Sequence, residues 1–195
     1  MLQDFRRIAP LCLAGFSSKI LDSLIVSFLP LFLLEAQFGV ESISIVLSAF
    51  TLSWALLQPI TGHLSDKIGR KKITLAGLAF SSITIIGFTV TVNILYLVLY
   101  ALILGVEAAF FYTPLMAMVS DIAPQEIEGT VIGSYRFFRD LGYFVGPILL
   151  GKIGDSFSLD YSFYVTSVII MLAFFVLFFF LEETNPRART RRNSE

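Results

Sequence analysis

Six apolar runs, each long enough to cross a bilayer, follow one another with only short polar breaks, and this leaves little choice of fold. A helix needs about 20 apolar residues to traverse roughly 30 Å of hydrocarbon at about 1.5 Å per residue. The runs lie near residues 9 to 34, 43 to 62, 73 to 93, 94 to 120, 130 to 153 and 162 to 181. With 56% hydrophobic and only 15% charged residues, and 20 Phe, the composition excludes an ordinary water-soluble domain. Short connections favour antiparallel neighbours in one bundle. The expected fold is therefore an all-α membrane protein, a bundle of six transmembrane helices over residues 1–183, and residues 184–195 read as a disordered basic tail.

The basic residues predict an orientation. If the segment around Asp66 is cytoplasmic, the same side holds Arg6, Arg7, Lys67, Arg70, Lys71, Lys72, Arg136, Arg139, Arg187, Arg189, Arg191 and Arg192. Lys152 alone lies outside and Lys19 falls within the first span, so twelve of the fourteen basic residues obey the positive-inside rule with both termini in the cytoplasm. The net charge of −1 conceals this polarity and gives no reason to invoke nucleic acid. The Arg-rich tail reads instead as an anchor to anionic lipid headgroups. Arg6 and Arg7 before an apolar stretch could open a signal peptide, but Lys19 and Asp22 interrupt that stretch, which reads as the first membrane helix. A single Cys, Cys12, excludes an intramolecular disulfide, and a single His, His63, leaves no metal cluster and no implied cofactor.

Charges inside a span cost roughly 2.5–3.5 kcal/mol each, which makes them functional candidates. Lys19, Asp22 and Glu107 meet that description. Lys19 and Asp22 stand three apart on one helical face that Ser23 and Ser27 extend. The face either looks into a watery cavity or holds a structural ion pair, and the two are compatible. Glu107, mid-way along the fourth run with Tyr100 and Pro114 on the same face, can carry a proton at physiological pH or stay hydrogen-bonded to a neighbouring helix. On the second run Ser44, Ser48, Thr51, Ala55, Gln58 and Gly62 form a small and polar stripe opposite Phe50, Trp54 and Leu57. Such a stripe packs helices closely or lines a solvated path. Gln58 is the solute-contact candidate, because its amide has two donors and an acceptor to satisfy.

The segment Gly62-His63-Leu64-Ser65-Asp66-Lys67-Ile68-Gly69-Arg70-Lys71-Lys72, read as a charged loop between two spans, resembles the signature G-x-L-x-D-x-x-G-R-[KR]-[KR] of major facilitator superfamily transporters at every fixed position. In the fifth run Gly133, Gly142, Gly146, Pro147 and Gly151 are similar to the superfamily's antiporter motif, with Leu150 in place of the first Gly of its final pair. Gly142 and Gly146 equally form a small-xxx-small packing face, and Pro147 frees a carbonyl that can bend the helix. The run from Gly133 to Gly142 and the presence of Ala101, where first halves usually place an Arg, resemble the C-terminal half of such a transporter. The resemblance covers nearly all of the chain but only one of the two bundles in the fold.

It implies secondary transport of a small molecule by alternating access, with proton-coupled efflux as the expected activity and no covalent catalysis. Asp22 and Glu107 would be proton or solute carboxylates and Lys19 the charge partner of Asp22. Asp66 would cap a helix N-terminus of an opposite bundle near Thr130, and Arg70 would pair with Asp121. Gly62 and Gly69 would allow the close approach and turn, completing a gating set of Gly62, Asp66, Gly69, Arg70, Lys71 and Asp121. The second bundle is either a missing half or a second copy in a parallel homodimer. A non-transporting scaffold or sensor, or an inactive fragment of a twelve-helix transporter, is the alternative. A scaffold accounts for the charged segment but not for the polar faces of the first, second and fourth runs together.

Overall fold

The computed structural model describes residues 2–185. Among them every regular element is helical. The first span is continuous but built in three pieces: α1 (Leu2–Ser23), a π-helical turn (Leu24–Phe28) and α2 (Leu29–Glu35). The other spans are α3 (Val40–Ile68), α4 (Arg70–Gly87), α5 (Ile94–Ile122), α6 (Glu128–Ser156) and α7 (Leu159–Phe180). Several helices run well past their apolar cores, α3 from the expected 43–62 to Val40–Ile68. Hydrocarbon thickness sets the length of the apolar run, not the point where the hydrogen-bond ladder stops.

Among the described residues, five spans are long and apolar enough to cross a membrane. The helix α6, at 29 residues, is long enough but less apolar, because Arg136, Arg139 and Asp140 lie in its first half. It still docks along α1, so the bundle has six helices of spanning length.

The helices form two layers. In front, α6, α1, α5 and α3 pack side by side in that order. Behind them, α7 lies against α1 and α6, and α4 against α5 and α3, with α4 and α7 touching each other. Glycine permits the closest contacts. A Cβ on Gly142 would meet the Phe16 carbonyl and Lys19 Cβ, and one on Gly146 would meet Ser23 Oγ at 2.7 Å, so both press α6 onto α1. Hydroxyls then bond across the seams: Thr61 donates to the Ala109 carbonyl (3.0 Å, α3 to α5), Ser162 to Leu150 (2.9 Å, α7 to α6) and Ser167 to Ser82 (2.5 Å, α7 to α4). Such bonds contribute about 0.6 kcal/mol each in a membrane bundle.

Phe32, Phe88 and Phe163 bring together the first span, the short turn that follows α4, and α7, with the Phe163 ring centroid 4.9 Å from Phe32 and 6.2 Å from Phe88. Large apolar side chains also cover the outside, among them Phe80, Ile83, Leu172 and Phe179. Lipid, not water, is the solvent that this surface matches.

Periodicity did not reveal the π turn. Its Leu29 N–H reaches back to the Leu24 carbonyl, and the next residue, Pro30, has no N–H to continue the ladder. The turn starts two residues after Asp22, and π turns inside helices are frequent at functional sites.

Candidate functional site

Near mid-span the front layer gathers a polar cluster. Lys19 Nζ donates to Asp22 Oδ2 at 2.6 Å and to the Tyr112 hydroxyl at 3.1 Å. Tyr143 donates to the same Asp22 oxygen at 3.2 Å. The ammonium lies 4.7 Å from the ring centroids of both Tyr112 and Tyr143. Trp54 stands edge-on to Tyr112 at 5.2 Å. Arg139, paired with Asp140 at 2.8 Å, sits over the same tyrosine at 5.7 Å. The cluster thus draws on α1, α3, α5 and α6, and α4 and α7 supply none of it.

Local sequence explains each placement. Lys19 and Asp22 share a face at spacing three, and the glycines of α6 let that helix come close enough for Tyr143 to reach Asp22. Arg139 corrects the orientation count: it is a buried residue, not a surface charge. The helix α6 starts at Glu128, so Arg139 lies about 16 Å along it at about 1.5 Å per residue.

Glu107 does not join this cluster. Gly105 faces α3, where a Cβ would strike Phe50 and Ser53. Two residues further, about 200° around the helix, Glu107 points toward α4. There Thr84 donates to its Oε1 at 2.9 Å, while Oε2 is buried without a partner among the described residues. Tyr100, on the same face, lies against Gly87 of α4. The two carboxylates expected to share one role occupy different seams of the bundle.

On α3, Ser44, Ser48 and Thr51 are exposed, and the Ser44 and Thr51 hydroxyls bond their own helix four residues back. These three positions of the stripe are not packed within this bundle. Gln58 is half-buried and outside the cluster, whereas Trp54, on the opposite face, meets Tyr112.

The segment from Gly62 to Lys72 is not a loop. The helix α3 continues to Ile68 and α4 begins at Arg70, so Gly69 alone forms the junction. Its φ of 116° lies where only glycine is comfortable. Gly62 sits against α5, where a Cβ would be 3.4 Å from Thr113.

Arg70 is the hub of this end. Its Nη1 reaches Asp121 Oδ2 at 2.6 Å and the Ala117 carbonyl at 2.7 Å, and its Nε and Nη2 reach Asp66 Oδ1 at 3.3 and 3.1 Å. The end of the chain fastens onto the same place. Glu183 accepts from the backbone N–H groups of Arg70 and Lys71 at 3.0 and 3.2 Å, which satisfies two open donors at the start of α4 and places an anion on the positive end of its dipole. Thr184 donates to Asp121 at 2.9 Å, and Asn185 Nδ2 donates to the Asp66 carbonyl at 2.8 Å. Lys71 Nζ donates to the Phe178 carbonyl at 2.8 Å, at the C-terminal end of α7.

Thr184 and Asn185, assigned from sequence to the tail, are therefore docked. Residues 186–195, with the four tail arginines, lie outside the described residues, as do the Arg6 and Arg7 side chains. Sequence reasoning missed Glu183, Thr184 and Asn185, and it also missed Tyr112, Tyr143, Trp54 and the inward Arg139. The available signal was mid-span position: tyrosines and an arginine deep in apolar helices need partners there.

Comparison with known proteins fits this architecture. Residues 11–195 match the family described as Major Facilitator Superfamily. The chain is 28% identical over 197 residues to the uncharacterised MFS-type transporter YuxJ of Bacillus subtilis (strain 168), covering 93% of this chain and 47% of that protein. It is 31% identical over 175 residues to the multi-drug resistance efflux pump PmrA of Streptococcus pneumoniae, covering 87% and 43%. It is 27% identical over 151 residues to the quinolone resistance protein NorA of Staphylococcus aureus, covering 77% and 39%. The crystal structure of the human organic anion transporter MFSD10 (TETRAN) shares the fold, with a TM-score of 0.71 at 21% identity over 93% of this chain and 48% of that one. The chain thus spans less than half the length of these relatives. It is a multi-pass membrane protein with one six-helix bundle of the facilitator fold, and it belongs to the Major Facilitator Superfamily.

Proposed function

We propose that this bundle is half of a secondary active transporter that moves a small solute across the cell membrane by alternating access, in proton-coupled efflux. The observation that carries this reading is the Lys19 cluster: two ion pairs, two tyrosines and Trp54 near mid-span, drawn from four helices and backed by none of α4 or α7. At roughly 2.5–3.5 kcal/mol per charge inside a span, a fold that served only as an anchor would have no reason to retain four. Relatives named as an efflux pump and a resistance protein favour outward movement.

In this reading Asp22 and Lys19 contact solute or proton, with Gln58 further along the same path. Glu107 carries a proton in the α4–α5 seam, where no cation meets its carboxyl among the described residues. The α3–α4 junction is cytoplasmic, with both termini on that side. A second bundle, either the remaining half of a longer protein or a second copy, covers the front layer. Asp66, whose side chain is half exposed, docks there at the start of the helix equivalent to α6. The start of α6 supports this, since Gly129 and Gly133 have nothing within 4 Å of a Cβ and Thr130 is exposed.

Reconstituted protein is expected to show solute flux driven by a pH gradient. Flux and coupling unchanged in Asp22→Asn and Glu107→Gln would remove those residues from the mechanism. Disulfides between Asp66→Cys and Thr130→Cys are expected to join two chains if copies pair, together with a dimeric mass in detergent. Bonds confined to one chain would remove the homodimer.

A further inference from the structure

We propose that the α4–α5 seam binds a small monovalent metal ion, Na+ in the first instance, through Glu107, Ser81 and Thr84. The carboxylate is the one read above as the proton carrier, and the inference rests on that reading only in placing an exchangeable ion there. The seam is where the bundle leaves polar atoms unanswered. Three buried side-chain oxygens lack a hydrogen-bond partner among the described residues, and two of them, Glu107 Oε2 and Ser81 Oγ, belong to this seam. Buried hydroxyls are normally satisfied, and buried carboxylates are paired or bound to a metal.

Helix packing brings the two groups to one level. A Cβ on Gly77 would meet the Glu107 carbonyl at 2.7 Å and Phe110 Cβ at 2.8 Å, so α4 and α5 are in close backbone contact there. Seven residues on, about 10 Å along α4, the Thr84 hydroxyl meets Glu107 Oε1 at 2.9 Å. The Glu107 side chain therefore runs along α4 from the level of Gly77 to that of Thr84. Ser81, four residues after Gly77 and three before Thr84, shares their face, lies along that stretch and is 0% exposed. Helical hydroxyls commonly turn back on their own helix, as Thr74 does to the Arg70 carbonyl and Ser82 to that of Ala79. Ser81 does not, and Thr84 donates across the seam instead.

The donor set names the class of occupant. One carboxylate and two hydroxyls are hard oxygen ligands with open lone pairs, which suit a hard cation rather than the ions that select His or Cys. One carboxylate balances one positive charge, and no cation of the chain meets it among the described residues. Ca2+ takes about six to eight oxygens and Mg2+ keeps several waters of its own, and a seam closed at Gly77 supplies room for neither. Glu107 Oε2 and Ser81 Oγ are not hydrogen-bonded to each other, so a proton on the first does not reach the second. An ion lodged between them neutralises the one and satisfies the other.

The test is equilibrium binding of radiolabelled Na+ to the purified full chain, with choline chloride holding the ionic strength, and thermal unfolding in the same buffers. Saturable binding is expected, with the unfolding midpoint raised by about 5 °C when Na+ stands about 100-fold above its Kd. Glu107→Gln is expected to lose saturable binding and to unfold with the wild type in choline, and Ser81→Ala to bind about ten-fold more weakly. A seam that holds only a proton or a water shows no saturable Na+ binding, which overturns the proposal. So do a midpoint shift that choline reproduces and a Kd within about two-fold of wild type in either variant. If Ser81→Ala does not fold, Thr84 decides: Thr84→Ser, which keeps the hydroxyl, is expected to bind within about three-fold of wild type and Thr84→Val about ten-fold more weakly. Equal binding, or equal loss, in Ser and Val also overturns it. Binding requires no transport, so the two readings fail separately. Na+ binding without solute flux removes the transporter reading, and pH-driven flux without Na+ binding removes this one.

Discussion

The Arg70 hub and the Lys19 cluster are both ion-pair centres built around one cation, yet they are made for opposite ends. Arg70 spends its guanidinium on Asp66, Asp121 and the Ala117 carbonyl, and Glu183, Thr184 and Asn185 bond to its backbone and to both of its carboxylate partners' residues. A planar fork with several directed bonds fixes a geometry. Lys19 offers the ammonium at the end of a flexible stem to one carboxylate oxygen and leaves the other without a donor among the described residues. The first arrangement fastens α3, α4, α5 and the end of α7; the second joins α1, α5 and α6 through a single ammonium and a single carboxylate oxygen. Only α3 and α5 run through both, so they are the elements through which occupancy at mid-span can be felt at the α3–α4 junction.

The difference breaks most sharply at Arg70. Arg70→Ala leaves Asp121, whose side chain is 15% exposed, without its cation, and is expected to cost about 2–4 kcal/mol in thermal unfolding of the solubilised protein. Arg70→Lys is expected to recover less than half of that, since a point charge cannot meet Asp66, Asp121 and Ala117 together. Full recovery by Lys would show that charge alone matters, and the hub would then be no more fixed than the Lys19 cluster. Next in size, Gly69→Ala places a Cβ at a φ of 116° and is expected to cost about 1–2 kcal/mol.

Glu183→Ala removes the acceptor of two N–H groups at the start of α4, with an expected cost of about 1 kcal/mol. Hydrogen exchange should rise at Arg70 and Lys71 and stay level around Lys19. A matching rise at mid-span would mean that the two centres are one cooperative unit.

How the two regions compare in the sequence follows from the same physics. Six helices, their order and the charged segment from Gly62 to Lys72 were legible because apolar length and a contiguous motif are local properties. The Lys19–Asp22 pair was legible for the same reason, three residues apart on one face. Tyr112, Tyr143 and Trp54 were not, because a tyrosine in an apolar helix looks alike whether it faces lipid or a buried ammonium. Arg139 was misread because position in a run does not say how far a helix extends before its apolar part begins. Glu183 was hidden more deeply still, since a helix cap supplied from 112 residues away has no signature in the stretch it caps.

Glu107 belongs to neither centre, and the smallest expected effect on stability tests that separation. Thr84 donates to one carboxyl oxygen and the other is buried without a partner among the described residues. In Glu107→Gln the side-chain carbonyl keeps the Thr84 bond and no ion pair is broken, so stability is expected to change by no more than about 0.5 kcal/mol. If Glu107 is the proton carrier, the same substitution abolishes the dependence of flux on the pH gradient while leaving solute affinity at the Lys19 cluster within about two-fold of wild type, because the two carboxylates occupy different seams and share no partner among the described residues. A large change in solute affinity would mean that the α4–α5 seam and the front layer move together, and that the second carboxylate acts on the solute site through helix position rather than through a proton.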